Sequence, residues 1–130
     1  MIFLDSSFVI ALADEDDQYH EKAVKLLAKL HTQRALSELV VSESVSSVGS
    51  RLGVKAGRTI FENLMYDSAN KTFFANKRLY ERTMPIYAKY GGKLSFSDSV
   101  SVRLMYDQKI KEIVSFDSDF DHVEDVVRVS

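Results

Sequence analysis

The sequence predicts an α/β fold of three layers, with a central parallel sheet of about five strands between two sets of helices. Three observations carry that expectation. Short apolar runs alternate with longer segments whose apolar residues recur at helical spacing, from one end of the chain to the other. A chain of 130 residues, 45% hydrophobic, has the size of one domain and buries about two-thirds of its unfolded surface, so one core is expected over 1–130. No repeat, low-complexity stretch or internal linker interrupts the alternation.

The run Ile2 to Leu4 predicts the first strand, Asp5-Ser6-Ser7 a turn, and Phe8 to Ala13 a first helix. Asp14, Glu15, Asp16 and Asp17 then precede a segment in which Ala23, Leu26, Leu27 and Leu30 keep helical spacing among Lys and Glu. That pattern is an amphipathic helix with a solvated face and acids at its favourable end. Leu39-Val40-Val41 reads as a second buried strand, with Ser42 capping a helix through Val45, Val48 and Leu52 that Gly53 ends. A helix from Lys55 to Tyr66 carries Ile60, Phe61, Leu64 and Met65, although Gly57 weakens it, and Thr72 to Ala75 reads as a third strand. Lys77 to Tyr90 is helical in pattern, with Pro85 either opening a second segment or imposing a kink. After the break at Gly91-Gly92, Ser95 or Ser97 caps a helix through Val100, Leu104 and Met105. Glu112 to Ser115 and Val126 to Val129 complete the strands. In such a sheet, function is expected at the carboxyl ends of the strands, where loops converge on a topological switch point.

Composition narrows the chemistry. Cysteine is absent, which excludes disulfides, thiolate nucleophiles and Cys-based metal sites and leaves oxygen or imidazole as metal ligands. No apolar run approaches the roughly 20 residues that span a bilayer, and the N-terminus has no basic stretch ahead of an apolar signal segment, so a cytoplasmic protein without membrane contact is expected. A formal net charge of −2 supplies no global field for nucleic acid. That argues against a passive nucleic-acid binder and not against a nuclease whose acids are masked by metal.

Three aspartates stand where a site is expected: Asp5 after the first strand, Asp98 at the start of a late helix, and Asp117 after the fourth strand. Gathered together they repel, and each raises the others' pKa unless a cation neutralises them. Oxygen ligands suit Mg²⁺ or Mn²⁺, which acidify bound water and stabilise charge on a phosphate, so phosphodiester hydrolysis is the simplest reaction. Each residue also has an ordinary explanation: Asp5 as a helix cap, Asp98 as a dipole partner, Asp117 as part of a solvated turn. Asp119 either shares the metal or belongs to that same acidic turn. The basic residues Arg51, Lys55 and Arg58 either contact RNA phosphates or form a solvated face. His20, His31 and His122 have no metal-ligand spacing, and the stripe Tyr80, Tyr87 and Tyr90 reads as core packing or a dimer face.

At these residues the chain resembles the PIN domain family, and within it the small toxins of the VapC type. The resemblance runs nearly end to end. The opening "MIFLDSSFVIALADEDDQYHEKA" is similar to the family's first motif, with Asp5 as ligand and Ser6 as supporting hydroxyl; "GGKLSFSDSVSVRLM" resembles the third, with Asp98, and "IVSFDSDFDHV" the fourth, with Asp117. The resemblance implies a divalent-metal ribonuclease, a homodimer, and a small antitoxin that blocks the site. In the family a Glu lies about six or seven residues past the second strand. With that strand at Leu39 to Val41, "LVVSESVSSVGSRLG" puts Val48 in its place and Glu43 five residues earlier. Three readings follow: Glu43 reaches in from the helix start, the site runs weakened on fewer carboxylates, or the chain is a degenerate, non-catalytic module that binds RNA or a protein partner. An aspartyl-phosphate enzyme is disfavoured, because dehalogenase-like phosphatases want a second Asp where this chain has Ser7.

Overall fold

The computed structural model describes residues 1–130. Its elements are β1 (Ile2–Leu4), α1 (Ser6–Ala13), α2 (His20–Lys29), β2 (Arg34–Ser37), α3 (Glu38–Leu52), α4 (Val54–Tyr66), β3 (Asn70–Phe73), α5 (Lys77–Lys89), α6 (Phe96–Gln108), β4 (Glu112–Val114), a 3₁₀ turn (Ser118–His122) and β5 (Val127–Val129). All five strands are parallel, in the order β3-β2-β1-β4-β5. The chain winds outward from β1 to β3, then returns to the other side of β1 to build β4 and β5. That reversal makes the gap between the carboxyl ends of β1 and β4 the switch point.

The period of two along each strand sorts side chains into two cores. Ile2, Leu4, Leu36 and Val114 pack with Phe8, Ala23, Val41 and Leu64 from α1 to α4. On the opposite face Phe3, Ala35 and Ile113 pack with Leu79 and Ile86 of α5 and Val100 and Met105 of α6. Helices therefore cover both faces, as the alternation of elements predicts. No helix is long and apolar enough to cross a membrane.

The second strand lies elsewhere than expected. Leu39-Val40-Val41 is the first turn of α3, and β2 is the less conspicuous Arg34–Ser37, whose Ala35 and Leu36 are fully buried. A short apolar run satisfies a buried strand and a buried helix turn equally well, so periodicity does not separate the two. The cap decides it: Ser37 Oγ accepts the Val40 N–H at 3.2 Å, and Glu38 follows in the first turn, where the helix end favours an acid. Ser42, the expected cap, is exposed within the helix. The third strand moves with the second. Arg34 pairs with Asn70 and Ser37 with Phe73, so β3 stops before Phe74 and Ala75, and the Ala75 N–H turns to Glu38 Oε1 at 2.6 Å.

Pro85 neither starts nor breaks a helix; α5 runs through it. The ring is exposed, as is Glu81 one turn earlier, so the carbonyl it leaves unpaired can meet water. Gly57 proves to be a packing residue. A Cβ there would stand 3.2 Å from both Gly49 Cα and Val45 O, so its absence lets α3 and α4 approach closely.

Candidate active site

Asp5 leaves β1 with its N–H bonded to Val114 O at 3.1 Å, which ties it to the end of β4. It holds the N-cap position of α1 but makes no side-chain capping bond. Its Oδ2 instead accepts the Ser7 and Ser115 hydroxyls, each at 2.7 Å. The residue is 4% exposed, and burial pushes its carboxyl up from the usual range; the two hydroxyls pull it down and the Asp117 charge raises it again. Ser7 Oγ also accepts the Phe116 N–H, and Ser115 Oγ the Asp117 N–H, both at 3.0 Å. Two serines thus lace the end of β1 to the loop after β4. The supporting hydroxyls on Asp5 come from Ser7 and Ser115 and not, as expected, from Ser6.

Asp98 enters from the first turn of α6, where Ser95 Oγ accepts its N–H at 3.0 Å and settles the choice of cap. Its carboxyl is pushed up to about 7, first by burial and then by the Asp5 charge; the Ser95 hydroxyl opposes this, while Asp117 and Glu43 add to it. Asp5, Glu43, Asp98 and Asp117, from four separate segments, therefore share one electrostatic neighbourhood at the switch point. Asp117 divides its attention: its Oδ1 accepts the Asp119 N–H at 2.9 Å, the capping role that its turn suggested. Asp119 is exposed, and Asp121 is paired with Arg128 at 2.8 and 2.9 Å.

Glu43 lies one turn and a half into α3 because β2 ends at Ser37. Counting six residues on from Ser37 reaches Glu43, whereas Val48 was reached only by counting seven from Val41. Val48 is 1% exposed and belongs to the packed interior. Val48 thus adds no group to the crevice.

The acids do not stand as a closed cluster; no three of them are close enough to grip one ion unaided. Mg²⁺, however, is commonly held by one or two carboxylates with water completing its octahedron. The donors are all hard oxygens, and no Lys or Arg forms an ion pair with Asp5, Glu43 or Asp98. The set fits a hydrated divalent cation, which would relieve the repulsion among the acids.

Of the basic residues, Arg51 borders the acids: it lines a cavity with Ser7 and Asp117 and lies 3.7 Å from Asp14. Arg58 pairs with Glu62 at 3.4 Å on the surface, and Lys55 is exposed on α4. His20 Nδ1 lies 2.7 Å from Ala11 O, a structural contact. Tyr80 and Tyr87 pack on Phe96, so this part of the tyrosine stripe belongs to the fold. Arg128 was not singled out by sequence: it also donates to Ser115 O at 3.2 Å and so steadies the loop that carries Asp117. Ser115 was equally hidden, since a serine at the end of an apolar run signals only the end of a strand.

Ser115→Ala removes one hydroxyl from a buried carboxylate and strands the Asp117 N–H. It should lower stability by about 1–3 kcal/mol, read from urea denaturation. An unchanged midpoint would show that the serine bridge contributes nothing to holding Asp5.

Comparison with known proteins places the fold. The PIN domain profile matches residues 2–126. No curated protein sequence matches the chain. Among solved structures, VapC20 of Mycobacterium tuberculosis, described as a sarcin-ricin loop cleaving toxin, superposes with a TM-score of 0.86 at 24% identity over 93% of each chain. A toxin-antitoxin complex from Klebsiella pneumoniae gives 0.72 at 17% identity, over 98% of this chain and 96% of that one. VapBC2 from Rickettsia felis, bound to a DNA fragment from its promoter, gives 0.69 at 14%, over 99% and 98%.

Proposed function

The chain belongs to the PIN domain family, and from that membership together with its acidic crevice we propose that it is a divalent-metal-dependent endoribonuclease, the toxin of a toxin-antitoxin pair. The observation that carries the reading is that Asp5, Asp117 and Glu43, from three other segments, all lie near enough to Asp98 at the switch point for their charges to raise its carboxyl. Asp5, Asp98 and Asp117 would hold hydrated Mg²⁺ or Mn²⁺ partly through its water shell, with Glu43 joining them and Asp119 at the margin. When bound, such a cation neutralises the acids, acidifies a water and stabilises charge on the phosphate. The protein's part is positional. Ser7 and Ser115 hold one oxygen of Asp5 fixed, and Ser115 and Arg128 keep the Asp117 loop against β4. Asp98, pushed up to about 7 in the metal-free chain, would be held ionised by a bound cation.

A small antitoxin that covers the site and a homodimeric state complete the proposal. Support for a partner comes from the toxin-antitoxin complexes that share the fold. RNA as substrate is supported by the description of the mycobacterial toxin. Incubating the purified chain with RNA and Mn²⁺ or Mg²⁺ should give discrete fragments, and chelation by EDTA should stop their appearance. Intact RNA with both metals, or cleavage indifferent to EDTA, would refute the assignment.

A further inference from the structure

On the face of the sheet away from α5 and α6, a cavity of about 700 Å³ opens over β1 and β2. The helix α1 packs on α2 and α3, and α3 packs on α4, which leaves α2 and α4 as the outer walls of a trough that the chain itself does not fill. Leu4, Phe8 and Val9 form its floor, with Leu27 and Ile60 on the two walls. Val24 and Leu27 of α2 remain 47% and 37% exposed. The volume falls within the roughly 300–1,000 Å³ typical of small-molecule sites, and a mostly apolar lining with a few polar groups is what such sites have. Asp5, Glu43, Asp98 and Asp117 all lie outside it.

One end of the cavity is polar, and its bonding capacity is not used within the fold. The period of two that turns Leu36 into this core turns Arg34 the same way, and the register sets Asn70 of β3 opposite Arg34. Both residues line the cavity, together with Asp67. Arg34 Nη2 donates to Asp67 Oδ2 at 3.0 Å, but Arg34 Nε is buried without a partner. Asn70 Nδ2 donates to Leu64 O at 3.3 Å and Asn63 O at 3.4 Å, but Asn70 Oδ1 is likewise buried without a partner. Folded chains leave few buried polar groups unpaired, and here an unmet donor and an unmet acceptor fall on neighbouring strands at the end of one apolar cavity. The Asp67 carboxylate balances the Arg34 charge, so this end carries no net charge. A carboxylate head would answer only the donor and would face Asp67. An ammonium head would answer only the acceptor and would face Arg34. A carboxamide carries both functions without charge.

We propose that this cavity binds a small, uncharged amphipathic molecule, whose apolar body lies between α2 and α4 and whose carboxamide-like head accepts from Arg34 Nε and donates to Asn70 Oδ1. The site is distinct from the acidic crevice and stands whether or not the chain cleaves RNA. A compact head suits the donor and acceptor at the closed end better than the broad face of a partner helix does, because a helix has its own backbone groups already paired.

The test follows backbone amide shifts of the ¹⁵N-labelled full chain by NMR during titration at pH 7 with three probes of one chain length: octanamide, octanoate and octylamine. Octanamide should give saturable shifts on residues that line the cavity. It should bind at least about tenfold more tightly than either charged analogue, since each of those brings an unpaired charge to a buried place. Asn70→Leu should weaken octanamide by about three- to tenfold and leave octanoate within about twofold, because only the amide loses a partner. Thr59→Trp, at an exposed position of α4 beside the cavity, should abolish the shifts by filling the space, and it keeps the test decisive should Asn70→Leu loosen the end of α4. Absence of saturable shifts with octanamide, equal affinity for all three probes, or binding unmoved by both variants would overturn the proposal. An amphipathic helical peptide that shifts the same residues where octanamide does not would overturn it too, in favour of a macromolecular occupant.

Discussion

Replacing Asp98 with Asn should lower RNA cleavage on the order of 10³-fold and, at the same time, make the metal-free chain more stable at pH 8. The two effects share one cause. Burial and the charges of Asp5, Asp117 and Glu43 let folded Asp98 keep its proton up to about 7, whereas the unfolded side chain releases it near 3.8. Between those values the folded chain binds more protons than the unfolded one, so stability falls as pH rises through the window. Asn has no proton to lose and escapes the penalty. Urea denaturation in EDTA should show variant and wild type alike near pH 4, with the variant ahead at pH 8 by on the order of 2–4 kcal/mol. Addition of Mn²⁺ should reverse the ranking, because only the wild type retains the full ligand set. A variant that is less stable at pH 8 without metal would mean that Asp98 makes favourable contacts and stands outside any repulsive cluster.

The second large effect separates two positions on α3. Val48→Glu should destabilise the chain by at least about 3 kcal/mol or prevent folding, because it drives an unpaired carboxylate into a place that is 1% exposed. Glu43→Ala should leave stability within about 0.5 kcal/mol and cut cleavage at least about tenfold. Circular dichroism melts and a cleavage assay on the same preparations distinguish these outcomes. A Val48→Glu chain that folds normally and gains activity would restore the alignment that the cap at Ser37 displaces.

The contrast between those residues also shows what can be read from the chain. Ile2 to Leu4 meeting Asp5, and Ile113-Val114 meeting Ser115 and Asp117, announce themselves because an apolar run that stops at polar residues marks a buried strand and its end. Ser95 likewise marks the start of α6 and so the placement of Asp98. The second strand gave no such signal. Arg34-Ala35-Leu36-Ser37 has no β-branched residue and is held by pairing with β1 and β3, while Leu39-Val40-Val41 has strand-like composition but packs from a helix. That displacement by a few residues moves the count of six past the strand from the region of Val48 to Glu43. The serine bridge was beyond reach for another reason. Ser7 and Ser115 are 108 positions apart and meet only because Phe3 pairs with Ile113 and Leu4 with Val114. Arg128 depends in the same way on β5 pairing with β4.

The central claim is that these carboxylates form a site for a divalent cation, and calorimetric titration of Mn²⁺ at pH 7 tests it directly. Run in two buffers of different ionisation enthalpy, wild-type chain should show saturable binding with net proton release, since Asp98 is part-protonated at that pH and must ionise to ligate. Asp98→Asn should bind more weakly and release fewer protons. Absence of saturable binding to the wild type, or equal affinity and proton release in the variant, would contradict the account.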